Sequence, residues 1–183
     1  MESYGRILIR ATNWVGDAIL SLPAVQAVRE RFGGASVAVL ARPWVADIYR
    51  FGGIADEIIL YEKRSGLDAV RERLRVAREL RRQRFDCALL LQNAFDAALV
   101  TALAGIPVRI GYARDARRWL LTHPVETPRR GEIPRHESFY YLELLRRAGW
   151  LDGLPANPEP GLDRFSRQPE PVIGVSPGAA FGS

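Results

Sequence analysis

The chain predicts an α/β protein: a parallel sheet covered on both faces by helices. Two observations carry this. Short, apolar, β-rich runs alternate with segments whose apolar residues recur every three to four positions, and strands joined by helical crossovers pair in parallel. The composition, 183 residues of which 48% are apolar and 26% charged, is that of one soluble domain. At that length about 70% of the unfolded chain's surface can be buried.

The elements follow in order. Ile7 to Ala11 reads as a buried first strand. Leu22, Val25, Val28 and Phe32 form a helical stripe that Gly33-Gly34 closes. Pro23 would interrupt a helix begun at Asp17, so Ser21 is the expected cap, with Pro23 in the first turn and Asp17 in a short turn ahead of it. Ser36 to Ala41 and Glu57 to Tyr61 are the next strands. Leu67, Val70, Leu74, Ala77 and Leu80 make a second stripe. Its other face carries Arg71, Arg75, Arg78, Glu79 and Arg82, the pattern of a solvated surface rather than a nucleic-acid patch. Cys87 to Gln92 is a fourth strand, Ala94 to Ala104 an almost wholly apolar helix, and Val108 to Tyr112 a fifth strand.

Beyond Tyr112 the pattern loosens. Arg114, Arg117, Arg118, Arg129, Arg130 and Arg135 cluster among Trp119 and Phe139, and a helix from His136 to Ala148 stops at Gly149. The Pro-rich stretch that follows reads as a linker over residues 155–171, separating a domain of residues 1–154 from the start of a second at 172–183. A strand at Pro171 to Ser176 with the small-residue loop Pro177 to Ser183 cannot bury its own faces. The expectation is the first half of a two-domain protein.

Composition excludes several classes. One cysteine, Cys87, and two histidines supply no metal-ligand spacing. Arg6 and Arg10 interrupt any secretory apolar region, and the run Ala97 to Ile106 is shorter than the ~18 residues a membrane span needs. A cytoplasmic location is expected. The net charge is +5, and of 26 basic residues only Lys63 is a lysine. Arginine suits bidentate contact with carboxylate and phosphate.

The chemistry concentrates in Trp14-Val15-Gly16-Asp17, just past the first strand. Ligands of open α/β sheets gather at that edge. There Asp17 can act as a helix cap or as a base, and Gly16 allows close backbone approach. The loop has no GxGxxG, which argues against a dinucleotide site.

The segment Trp14 to Asp17 with Ser21 resembles the opening motif of the ADP-heptose–lipopolysaccharide heptosyltransferases, glycosyltransferase family 9, the type II branch above all. Ala104-Gly105-Ile106-Pro107-Val108-Arg109-Ile110-Gly111-Tyr112 resembles that family's AGIPxRxGW/Y segment. Gly174-Val175-Ser176-Pro177-Gly178-Ala179-Ala180-Phe181-Gly182 resembles its PGAEFG loop, with Ala180 where an acidic residue is common. The three motifs lie in family order across nearly the whole chain.

The resemblance implies the N-terminal, acceptor-binding half of a GT-B fold of two Rossmann-like domains. It implies inverting, metal-independent transfer of heptose from ADP-heptose to the inner core of lipopolysaccharide, with no cofactor and no nucleic acid, at the cytoplasmic side of the inner membrane as a peripheral protein. Asp17 is then the base that takes the acceptor proton. Ser176, Gly178, Ala179 and Ala180 fall on the donor-binding loop. The family's lysine for the departing ADP follows that loop, past Ser183, so the chain alone is expected to be inactive. For the anionic acceptor, Arg109, Arg114 and Arg118 are candidates, each equally compatible with a solvated surface. Asn93 can bind a sugar hydroxyl or form a turn, and His136 can bind an acceptor anion or merely begin a helix. Trp14 can stack on a sugar or pack under its loop. The alternative is a Rossmann-like module that binds a nucleotide or glycan without turnover. A nucleotide-sugar epimerase reading lacks the Trp-Val-Gly-Asp match.

Overall fold

A computed structural model describes residues 3–51, 53–62 and 64–159. Six strands, β1 (Arg6–Arg10), β2 (Ser36–Ala41), β3 (Glu57–Leu60), β4 (Cys87–Leu90), β5 (Val108–Tyr112) and β6 (His123–Val125), form one sheet in the order β3-β2-β1-β4-β5-β6. Every pairing is parallel, from Arg6 opposite Ser36 to Tyr112 opposite Val125. Consecutive strands run outward in one direction from β1 and in the other from β4. The crevice between β1 and β4, at their carboxyl ends, is therefore the topological switch point.

Helices α1 (Val15–Arg31), α2 (Pro43–Phe51), α3 (Gly66–Gln83), α4 (Phe95–Leu103) and α5 (Ser138–Arg147) cover the sheet. Side chains alternate across it with the two-residue period of a strand. Ile7, Ile9, Val37 and Val39 join α1, α2 and α5 in one apolar layer. Leu8, Ala38, Leu40 and Leu90 join α3 and α4 in the other. Such doubly covered strands read as continuous apolar runs, and this is how they appear in the sequence.

The structure corrects three expectations. First, α1 is continuous from Val15, with Trp14 as its N-cap and Pro23 inside it. Ser21 is no cap: its Oγ donates to the Ala18 carbonyl (2.8 Å) and lies 3.0 Å from the Tyr49 hydroxyl, wholly buried. Pro23 removes one helical hydrogen bond, which packing of α1 between the sheet and α5 offsets. Second, of the expected stripe Leu67, Val70 and Leu74 are exposed, and α3 buries Ala77 and Leu80 together with Val76. An 18-residue helix is roughly 27 Å long and overhangs four-residue strands of about 13 Å. Third, the helix α2 and the edge strand β6 are additional elements. Pro43 opens α2, where its missing N–H costs nothing, and Pro124 is tolerated in β6 because that strand has one partner.

The described part of the Pro-rich stretch, through Glu159, lies along α1 and α5: Leu154 and Pro158 share a groove with Pro23, Ala27, Leu142 and Leu151. The strand and loop expected at 171–183 lie outside the described residues. Among the described residues no helix is long and apolar enough to cross a membrane.

Candidate active site at the carboxyl edge of the sheet

The β1–α1 loop brings Asp17 to the switch point. It sits on the first turn of α1, one turn past the Trp14 cap, partly exposed and without a side-chain capping bond. Near it, at the N-terminus of α5, lie Glu137 and Tyr141. Partial burial holds the Glu137 carboxyl above the usual carboxylate range; the charge of Asp17 acts the same way and His136 opposes it. Burial, and then Asp17, likewise push the Tyr141 hydroxyl up. The carboxylate expected in a turn ahead of the helix thus belongs to the first turn of the helix itself. Gly16 is exposed and a Cβ added there would meet open space, so packing does not demand glycine.

Below this rim lies a layer of buried cations. Arg10, the last residue of β1, is 1% exposed. Its Nη1 donates to the carbonyls of Ala11 (2.6 Å) and Leu40 (3.2 Å), and its Nη2 to Asn13 Oδ1 (3.1 Å). Arg42, one residue past β2, donates to the Tyr61 carbonyl (2.8 Å) with its guanidinium 4.3 Å from the centre of the Tyr61 ring. The Tyr61 hydroxyl donates to Asp96 Oδ2 (2.5 Å), and Arg73 closes the group on the same carboxylate. Burial, helped by the charge of Arg42, pushes Arg10 down to about 10; it remains a cation at neutral pH.

Across the switch point, Arg117 is 0% exposed. Its Nε donates to the Tyr112 carbonyl (2.9 Å), its Nη1 to the Gln92 carbonyl, and its Nη2 to Asn93 Oδ1 (2.9 Å). Burial pushes it down to about 10. Asn93 passes the chain on, its Nδ2 donating to the Tyr140 hydroxyl (2.9 Å). Asn93 therefore stands at the carboxyl end of β4 as expected, but both ends of its amide are used within the fold. Arg117 escapes sequence reading because it is one arginine among many.

The remaining candidates divide. Arg109 is the second residue of β5, near the amino end of the strand, with Nε on the Leu120 carbonyl (2.7 Å) and Nη1 on that of Ile106. It lies away from the crevice and staples the β5 approach to the turn Arg118–Leu120. This corrects the expectation that it reaches the cleft. Arg114 is exposed at the carboxyl end of β5, beside Tyr140 and 3.8 Å from Asp115. Arg118 is exposed and paired with Glu126 (2.5 Å). His136 borders a hollow with Leu20, Phe139, Asn157 and Pro158. Trp14 is 75% exposed at the rim. Ser176, Gly178, Ala179 and Ala180 lie outside the described residues. Among the described residues no group of three or more His, Cys, Asp or Glu side chains is placed to hold a metal.

Residues 73–179 match glycosyltransferase family 9 (heptosyltransferase), more than half of the chain. The chain belongs to glycosyltransferase family 9. It is 29% identical, over 97% of its length, to lipopolysaccharide heptosyltransferase 2 of Escherichia coli K12, and spans 55% of that protein. Among solved structures it matches the glycosyl transferase family 9 protein of Veillonella parvula (TM-score 0.73, 20% identity, 82% of this chain and 42% of that one). It also matches E. coli ADP-heptose lps heptosyltransferase II (TM-score 0.64, 26% identity, 84% and 44%). The chain thus spans about half the length of the curated relatives it matches, and its α/β sheet is the Rossmann-like, N-terminal half of a GT-B fold.

Family membership gives the Ala104–Tyr112 segment a physical reading. Gly105 ends α4 with φ +75°, a conformation that glycine adopts without strain. Ile106 is buried, Arg109 holds the turn below, and Gly111 makes room for Arg117. In this family 9 chain the motif is scaffolding for the β5 edge.

Proposed function

We propose that this chain is the acceptor-side half of an inverting glycosyltransferase that moves heptose from ADP-heptose to the inner core of lipopolysaccharide without a metal. The observation that carries the reading is the place of Asp17, on the first turn of α1 at the sheet's switch point, in a family 9 chain. The printed names of the relatives, lipopolysaccharide heptosyltransferase 2 and ADP-heptose lps heptosyltransferase II, support donor and acceptor.

In this reading the Asp17 carboxylate accepts the proton of an acceptor hydroxyl. The hydroxyl oxygen bonds to the anomeric carbon of heptose as the bond from that carbon to ADP breaks on the opposite face, and the configuration inverts. Arg114 and Trp14 line the acceptor side. Residues 1–154 form the acceptor domain and 155–171 the linker. Ser176, Gly178, Ala179 and Ala180 begin the donor domain. Departing ADP gains negative charge that this donor half must stabilise, so the 183-residue chain alone is expected to bind acceptor and transfer no heptose. Its acceptor is a lipid-anchored glycan, which places the protein at the cytoplasmic surface of the inner membrane.

The test is Asp17→Asn in the full-length protein. Loss of a general base costs ~10²–10⁴-fold in kcat, with acceptor affinity and Tm nearly unchanged. Near-normal kcat removes Asp17 from the mechanism. Loss of transfer on chelation, restored by a divalent cation, overturns metal independence. Turnover by the 183-residue chain overturns the division between halves.

A further inference from the structure

Three tryptophans are largely exposed: Trp14 (75%), Trp44 (55%) and Trp119 (72%). A single exposed ring is ordinary on a protein surface, so what distinguishes one from another is how the fold holds it. The three differ in how they are held. The Trp14 carbonyl accepts from the Ala18 N–H at 2.8 Å, and its ring makes no side-chain hydrogen bond among the described residues. The Trp119 ring leans on Phe95, centroids 6.0 Å apart, on the α4 side. Trp44 is tied across the fold to the segment that leads into α1: its indole Nε1 donates to the Asn13 carbonyl at 2.7 Å.

That bond belongs to a larger arrangement. Asn13 is gripped from below by the buried Arg10 at 3.1 Å and from the side by Trp44. Trp44 is the second residue of α2, directly after the carboxyl end of β2, the strand next to β1. Asn13 lies immediately before the extended N-cap Trp14, and Asp17 is the third residue of α1 beyond that cap. The indole therefore has its one polar atom satisfied by the fold, and its ring is open to solvent where the chain leads into α1.

We infer that Trp44 is the aromatic platform on which the acceptor sugar lies while its hydroxyl faces Asp17. The inference rests on the function proposed above and deepens it. A sugar ring presents an apolar C–H face and a hydroxyl rim. The C–H face suits the negative face of an indole, leaving the rim for polar groups. A ring already pinned by the Asn13 carbonyl loses little freedom on binding. The ligand class is a neutral hexose or heptose ring of an oligosaccharide; Arg114 remains for its anionic substituents.

The test is binding of a lipid-free inner-core oligosaccharide to the chain, read by saturation-transfer NMR and by titration, with Tm measured on every variant. Wild type should bind with saturation strongest on the protons of one sugar face. Trp44→Ala should weaken binding about tenfold, the loss expected for an aromatic anchor, and abolish that face-selective saturation at unchanged Tm. Trp44→Phe, which keeps a ring and loses the Asn13 bond, should retain most of the affinity and the face selectivity. Asp17→Asn should bind as wild type. If wild type binds and Trp44→Ala binds equally well, the platform is wrong while the proposed function stands. If Trp44→Phe loses as much as Trp44→Ala, the indole N–H positions the loop and the ring is no platform. If wild type does not bind, the acceptor-side reading fails and the platform with it.

Discussion

A Cβ at Gly111 would stand 3.2 Å from Arg117 Nη2 and 3.2 Å from Leu90 Cβ. The smallest residue of β5 thus lies directly against one of the two fully buried arginines of the site. Among the described residues no carboxylate is hydrogen-bonded to Arg117; backbone carbonyls of Tyr112 and Gln92 and the amide of Asn93 hold it. A side chain at position 111 must push back the Arg117 guanidinium or the Leu90 Cβ, each closer than ordinary van der Waals contact. Gly111→Ala is expected to cost about 1–3 kcal/mol through overpacking, read as a fall in denaturation midpoint at constant slope.

Arg117→Lys tests the same contact from the other side. A lysine cannot reach three acceptors arranged around a planar fork, and the Gln92 and Tyr112 carbonyls would lose buried donors. The expected loss is about 3 kcal/mol. The two substitutions act on one contact, so their effects in the double variant should sum to less than the singles; strict additivity would show that Gly111 and Arg117 are independent.

The strands and most helices were legible because sheet burial on both faces writes itself as apolar runs: Ile7-Leu8-Ile9 and Cys87 to Leu91 need no partner to be recognised. The start of α1 was not, because Pro23 is read locally as a helix stop, while its buried position between the sheet and α5 is a tertiary fact. The carboxyl-edge loop of Asp17 was legible from its place after the first strand. Arg109 was misplaced although the bounds of its strand were legible: as the second residue of β5 it stands at the amino end, opposite the edge where the crevice lies. Arg10, Arg42, Trp44 and Arg117 were hidden for a common reason. Their roles depend on which carbonyls and rings the fold brings to them, and no spacing in the sequence encodes that.

Acid stability should turn on Glu143. Its side chain is buried, and the guanidinium of Arg146, then that of Arg147, holds the carboxyl below the usual range; Arg146 Nε is 2.7 Å and Arg147 Nε 2.6 Å from its oxygens. Asp56 is lowered as well, by the Val37 N–H at 2.7 Å and by Arg29. Groups lowered in the folded state leave the unfolded chain binding more protons, so their stabilisation is complete above the unfolded values and disappears as pH falls through the folded ones. Glu143→Gln is expected to lose roughly 2 kcal/mol at neutral pH and to show a shallower fall in Tm below about pH 4.5. An acid limb as steep as that of wild type would mean that Glu143 does not carry it.

The last prediction concerns Asp17 and Glu137, which meet where the first turn of α1 approaches the start of α5. Glu137 is held above the ordinary carboxylate range by partial burial first and by the charge of Asp17 second, with His136 pulling the other way. Asp17→Asn removes a neighbouring negative charge, so the ionised form of Glu137 becomes easier to reach and its midpoint should move down. His136→Asn removes a source of positive charge and should move it up. The raised midpoint also has a sign in stability. A carboxyl raised in the folded state binds a proton that the unfolded chain has already released, so its contribution is present below the unfolded value and disappears as pH rises through the folded one. Asp17→Asn should narrow that window. Carboxyl-carbon NMR of Glu137 against pH reads the midpoint directly and needs no turnover. A midpoint that does not move in Asp17→Asn would mean that the two carboxylates do not share one field, and that Asp17 faces away from α5.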